Sequence, residues 1–220
     1  MEKITFGRIA EYILDTIAPP DPLVRRIERM SPADFLEKVA RAEIPADHVN
    51  ISEQRANGVR AIFKYKDPLA KAAILELKSY GNKKMSRLLA ALLYEELPRD
   101  MAHPIVIPIP ITRKSLRERG WNQCELVGRA LEVFDQGKRF ELRTDLLEKI
   151  RQTDDQVGKG REERFENLRD CFGVREPDQM RGRDVIIFDD ILTTGATLGE
   201  AAKACKNAGA ATIFCIALAH

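Results

Sequence analysis

Three features of this 220-residue chain predict an α/β fold built on a parallel sheet. Ile105 to Ile109, Val185 to Phe188 and Thr212 to Leu218 are β-branched, apolar runs with the uninterrupted character of strands buried on both faces. Between them lie segments with apolar positions at helical spacing, long enough to cross back over a sheet. Asp184 to Thr197 passes from strand to small-residue turn to helix, the βαβ rhythm of parallel sheets. In such sheets a ligand sits outside the carboxyl ends of the strands.

Taken in order, Phe6, Ala10, Ile13, Leu14 and Ile17 form a helical stripe that Pro19-Pro20 ends. Its mixed charge favours packing on the body over lying on a membrane. Ser31-Pro32-Ala33-Asp34 supplies an N-cap, a first-turn proline and an acid, opening a helix through about Arg41. Val59 to Tyr65 alternates as a strand, Pro68 to Ser79 reads as a helix, and Gly81-Asn82 breaks it. Lys84 to Leu97 is a longer helix with Met85, Leu88, Leu89, Leu92 and Leu93 on one side. A helix from Gln123 to Phe134, a strand near Leu146 and a polar stretch from Arg151 to Gly160 follow. A charged helix from Arg161 and a helix from Leu198 to Asn207 complete the pass. The chain is expected to divide into a helical extension, residues 1–58, and an α/β domain, residues 59–220.

Composition excludes several classes. Cys124, Cys171, Cys205 and Cys215 have neither C-x-x-C spacing nor a nearby histidine, so a zinc site is not expected and reduced thiols are. No apolar run reaches the roughly 18 residues of a membrane span. Glu2, Glu11 and Asp15 interrupt what a signal peptide keeps apolar. A cytoplasmic protein without stable membrane insertion is the expectation. The net charge of +2 conceals an uneven distribution. Arg60 to Arg87 holds eight basic residues against two acids, a net of +6, and Arg113 to Arg129 five against two, a net of +3. An anionic partner fits those windows, and so do two solvated helix faces.

Asp184 to Thr197 carries the chemistry. The strand delivers adjacent carboxylates, Asp189 and Asp190, into the turn Thr193-Thr194-Gly195-Ala196-Thr197 and the start of a helix. Gly195 permits close backbone approach, and the threonine hydroxyls lie where the helix's unpaired N–H groups point, which makes a phosphate site. Two carboxylates repel a phosphate unless they bind something else, and the vicinal hydroxyls of a ribose resolve the conflict. The run holds no G-K-[ST] and no G-x-G-x-x-G.

Val185 to Thr197 resembles the phosphoribosyl pyrophosphate (PRPP) signature of type I phosphoribosyltransferases. The resemblance implies that fold, with Asp189 and Asp190 on the ribose hydroxyls and Thr193 to Thr197 around the 5-phosphate. It also implies Mg²⁺ carried by PRPP, with pyrophosphate departing as an acceptor attacks. Further runs are similar to the ComF group of competence-associated members: Tyr65-Lys66-Asp67-Pro68, Leu77 to Asn82, Ile107 to Pro110, Arg117 to Gln123, Arg151-Gln152-Thr153 with Gln156, and Arg164 to Leu168. The likeness spans roughly Val59 to Ala219. The N-terminal zinc-binding element of many members is not matched, since no cysteine precedes Cys124.

In type I enzymes the loop matching Pro108 to Lys114 takes pyrophosphate, which assigns Arg113 and Lys114 there by charge. Trp121 either stacks on a base or ribose or anchors the helix after it. Asn122 and Gln123 either cap that helix or bind substrate. The polar stretch from Arg151 is a candidate lid, with Lys159 and Arg161 in reach of the leaving group or serving as ordinary loop charges. The sequence shows no nucleophile, base or metal-ligand cluster. A hood shaping the acceptor pocket is expected before Ile105, from the helical N-terminus and the basic segment, since only His220 follows the last strand by more than a residue. Two functions result: transfer of phosphoribose from PRPP to an acceptor of nucleobase type, or, as the ComF resemblance implies, a DNA-uptake factor that binds single-stranded DNA and other competence proteins, its PRPP pocket regulatory or vestigial.

Overall fold

The computed structural model describes residues 21–43, 56–151 and 168–220. The stripe from Phe6 to Ile17, Gln152 to Gly160 with Lys159, and the helix expected from Arg161 lie outside the described residues. Helices α1 (Pro22–Ile27) and α2 (Pro32–Lys38) come first. Each begins on a proline behind a capping side chain: Asp21 accepts from Leu23 N at 2.7 Å, and Ser31 and Asp34 form a reciprocal capping box. α2 stops at Lys38 rather than near Arg41, because Val39 turns extended and Arg41 bridges antiparallel to Phe63.

Then follow β1 (Ala56–Phe63), α3 (Pro68–Tyr80), α4 (Lys83–Glu96), β2 (Ile105–Pro108), α5 (Arg113–Arg119), α6 (Gln123–Asp135) and β3 (Glu141–Leu142). After these come β4 (Leu147–Lys149), β5 (Phe172–Val174), α7 (Pro177–Met180), β6 (Val185–Ile191), α8 (Ala196–Asn207) and β7 (Ile213–Ala219). Five strands make one parallel sheet in the order β1-β7-β6-β2-β3. The strand expected near Leu146 stays out of it: β4 pairs antiparallel with β5, Leu147 opposite Val174 and Lys149 opposite Phe172.

Strand alternation sorts the core into two layers. Val106, Ile186, Phe188, Phe214, Ile216 and Leu218 face α3, α4 and α6, together with Val24, Ile27 and Phe35 of the N-terminal helices. Ile105, Ile107, Val185, Ile187, Ile213 and Cys215 face α8 and the β4–β5 hairpin. The expected two-sided burial of β2, β6 and β7 is therefore observed. At the α3–α4 junction Gly81 takes φ 62°, and Asn82 caps α4 through bonds from Lys84 N at 2.9 Å and Met85 N at 3.3 Å. The same Asn82 amide donates to Glu28 at 3.0 Å and Glu76 at 3.1 Å, so it joins α1, α3 and α4.

Chain direction locates the ligand crevice. From β2 the chain proceeds to β3 on one side, and from β6 through α8 to β7 on the other. The carboxyl ends of β2 and β6 are thus the topological switch point, where open α/β sheets bind ligands. Among the described residues no helix is long and apolar enough to cross a membrane.

Candidate functional site

β6 runs through both acids to Ile191, so Asp189 and Asp190 are its last turn of pleat rather than a loop beyond it. β7 holds that end by pairing Asp189 with Ala217 and Ile191 with Ala219, while Ile109 N bonds Phe188 O at 2.9 Å from the β2 side. The two carboxylates are consequently buried, with 9% and 8% of their surface exposed.

Their neighbours come from α6. Gln123 Nε2 donates to Asp190 Oδ2 at 2.9 Å, and Cys124 Sγ donates to Asp189 Oδ1 at 3.7 Å. Asp190 N and Ile191 N add bonds of 2.8 and 2.9 Å to Asp189 Oδ1 and Asp190 Oδ1. Burial, and then the adjacent Asp190 charge, push the Asp189 carboxyl well above its ordinary range. Burial and the same acids push the Cys124 thiol up as well, so it stays a protonated donor. One ligand atom each from Cys124, Asp189 and Asp190 lies within 4.8 Å of the others, a set spread too far along the chain to be seen in sequence.

Beyond Ile191, Thr193 is exposed, Thr194 and Thr197 are half-buried and Ala196 is buried. Gly195 takes φ 78°, the left-handed conformation that lets the turn close onto α8. It offers α8 no capping side chain, whereas Asp67, Asn82 and Asn122 cap α3, α4 and α6. Ala196 N makes only a long bond, 3.4 Å, to Thr194 Oγ1. The α8 amino end therefore keeps its donors and its partial positive charge facing the crevice.

Across the crevice, Arg113 and Lys114, read from sequence as loop residues, form the exposed first turn of α5, capped by Thr112. Lys114 stands 3.9 Å from Glu118. Asn122 is a helix cap, accepting from Cys124 N at 2.9 Å, and its amide donates to Ile109 O at 2.9 Å, which pins the segment after β2. Trp121 takes the anchoring role: its Nε1 donates to Leu77 O at 3.2 Å, and its ring lies against Gly81. Arg161 and Lys159 fall outside the described residues.

Lys149 was not singled out by the sequence, being one base in a charged stretch. Its ammonium lies 5.9 Å from the Phe172 ring centroid. Burial holds its pKa below the ordinary range, against the pull of Cys171 and Asp189. A half-buried cation thus enters the field of the buried acids from the β4–β5 side.

Comparisons with known proteins bear on the family and the fold. The phosphoribosyl transferase domain family matches residues 129–220, which include β6, the threonine turn and α8. The competence protein ComFC of Streptococcus pneumoniae is 32% identical over 154 residues, 69% of this chain and 63% of its own. ComFC of Bacillus subtilis is 29% identical over 109 residues, 50% of this chain and 41% of its own. The DNA utilization protein YhgH of Escherichia coli O157:H7 is 30% identical over 108 residues, 49% and 45%. The match spans less than half the length of the last two. A hypoxanthine phosphoribosyltransferase structure from Staphylococcus aureus aligns with 61% of this chain and 60% of its own at 12% identity and a TM-score of 0.33. At that score the fold rests instead on the strand order and the domain match. The chain belongs to the ComF-type family of phosphoribosyltransferase-like proteins.

Proposed function

We propose that the crevice between β2 and β6 binds PRPP with its Mg²⁺ and transfers the phosphoribosyl group to an acceptor of nucleobase type. The observation that carries this reading is the buried pair Asp189 and Asp190 beside the uncapped amino end of α8. An anion alone does not compensate buried carboxylates, and a bare diol does not need a helix amino end. A ribose 5-phosphate needs both. Its hydroxyls donate to Asp189 and Asp190, and its phosphate meets the N–H groups and hydroxyls of Thr193, Thr194, Gly195, Ala196 and Thr197.

Gln123 orients Asp190, and Cys124 donates to Asp189, so α6 fixes the angle at which the acids meet the sugar. Arg113 and Lys114 supply exposed positive charge for the pyrophosphate on the β2 side. The donor set suits a hard cation through the carboxylate oxygens of Asp189 and Asp190, while the protonated Cys124 thiol does not suit Mg²⁺. When bound, that ion neutralises charge on the departing pyrophosphate. In the transfer, the C1–O bond to pyrophosphate breaks as an acceptor nitrogen bonds C1, and the buried carboxylates steady the positive charge that develops on the ribose.

Isothermal calorimetry with Mg-PRPP tests this reading. A saturable heat is expected for the wild-type chain and none for Asp189→Asn with Asp190→Asn. Unchanged binding in the double variant overturns it.

A second surface favours a nucleic-acid reading. Arg25, Arg26, Arg29 and Lys38 line a groove of about 580 Å³ on α1 and α2, where Asp34 is the one acid among the described residues. The exposed Lys83, Lys84 and Arg87 of α4 extend the basic surface, with Lys84 held 3.1 Å from Glu28. The relatives' names, competence and DNA utilization, suit single-stranded DNA here, alongside other competence proteins in the cytoplasm. Phosphate contacts of this kind weaken steeply with salt. Fluorescence anisotropy of a labelled oligonucleotide at low salt should show binding that Arg25→Glu with Arg26→Glu and Arg29→Glu removes. Absence of binding to the wild-type chain at low salt excludes it.

A further inference from the structure

A second hollow lies beside the crevice. Ser79 at the end of α3, Ser115, Glu118 and Arg119 of α5, and Trp121 line a pocket of about 330 Å³, at the small end of the range for ligand sites. A two-bond relay connects it to the acids: an Arg119 terminal nitrogen donates to Gln123 Oε1 at 2.8 Å, and Gln123 Nε2 donates to Asp190 Oδ2 at 2.9 Å. The wall is rigid. Trp121 is fixed by its bond to Leu77 O, and its ring atoms lie 3.1 Å from where a Cβ on Gly81 would stand, so the glycine makes room for the indole. Tyr80, the residue after Ser79, is 74% exposed.

We propose that this pocket is the acceptor subsite, and that it takes a planar heterocycle whose edge carries an N–H next to a carbonyl. The inference rests on the PRPP reading of the neighbouring crevice and assigns the acceptor that reading lacks. The polar groups select the edge. The Glu118 carboxylate only accepts, so it calls for an N–H, and the Arg119 guanidinium only donates, so it calls for a carbonyl. The two are adjacent in sequence, and the hydroxyls of Ser79 and Ser115 serve either kind of partner. Among the described residues Glu118 is engaged only at 3.9 Å by Lys114, and the Arg119 bond to Gln123 uses one of its five N–H donors. Trp121 offers the aromatic face on which a base stacks. Bases with a lactam edge, such as hypoxanthine, guanine and uracil, satisfy both charges. Adenine has no carbonyl, and the one N–H that cytosine carries beside a carbonyl is N1, the nitrogen that must bond C1, so neither presents that edge while it accepts the ribose.

Trp121 is the only tryptophan in the chain, so its fluorescence reports this pocket alone. The full chain is titrated with each base, with and without Mg-PRPP, under excitation at the red edge of the indole band. Saturable quenching by lactam bases is expected, at least tenfold tighter than for adenine or cytosine. Ser79→Phe, which fills the hollow, should abolish it, and Glu118→Gln should weaken it about tenfold. Calorimetry with Mg-PRPP on the same variants should be unchanged. Quenching by no base overturns the subsite, as does quenching indifferent to Ser79→Phe. Equal response to adenine and cytosine overturns the edge assignment. Base quenching without any PRPP heat in the wild-type chain would retain the pocket and reject the PRPP reading, and the converse would reject the pocket alone.

Discussion

The two strand ends that meet at the switch point handle charge in opposite ways. At the end of β6, Asp189 and Asp190 are buried against each other, with burial raising the Asp189 pKa. After β2, Arg113 and Lys114 stand exposed on a helix whose seven residues are none of them buried. Solvated cations cost the fold little, whereas buried acids of like sign cost it a great deal. The difference teaches where ligand dependence should be sought: the acidic end is strained without a partner, and the basic end is not.

The contrast can be broken first at Asp189. Its raised folded pKa means the folded state binds more protons than the unfolded one between the ordinary carboxylate value and the raised one, so wild-type stability falls as pH rises through that window. Asp189→Asn does not titrate there. The variant should therefore be more stable than wild type at neutral and higher pH, by about 1–3 kcal/mol, the usual cost of a buried polar group short of partners. The gap should close as pH falls below the ordinary carboxylate range. Melting temperatures across a pH series check this, and a gap that widens toward acid would contradict it.

Next in size is Gly195. A β-branched side chain at φ 78° costs about 1–3 kcal/mol of backbone strain, so Gly195→Val should lower stability by that amount and reduce Mg-PRPP affinity together. Denaturant melts and calorimetry read the two effects. Gln123→Ala is smaller: loss of the bond to buried Asp190 should cost about 1–2 kcal/mol of ligand binding, roughly tenfold in affinity. The smallest stability effect belongs to the basic end. Arg113→Ala with Lys114→Ala should move stability by no more than about 0.5 kcal/mol while flattening the salt dependence of Mg-PRPP binding. Equal stability losses at both ends would erase the contrast.

The same contrast explains what could be read from sequence. Asp189 to Thr197 are contiguous, and their order of strand, acids, small turn and helix follows from local chemistry, so both the β6 end and its place in a parallel sheet were legible. The cap at Ser31 and the break at Gly81 were local as well. What supports the acids was not. Gln123 reaches Asp190 across 67 positions and Cys124 reaches Asp189 across 65, and Lys149 enters from a hairpin outside the main sheet. α5 escaped notice because it buries no residue, so no apolar period marks it. β3 and β5 were too short to show alternation, at two and three residues.

The Asn82 side chain has a bearing on how this molecule can drift. One amide closes the amino end of α4 and holds a glutamate from α1 and another from α3. Replacing it takes the amide from both acids at once and leaves Glu28 with Lys84 at 3.1 Å, and replacing either acid frees one of the amide's N–H groups. Glu28, Glu76 and Asn82 therefore form one inheritable unit: lineages should keep all three or exchange them in concert, and a designer who transplants these helices to another scaffold must carry the trio together.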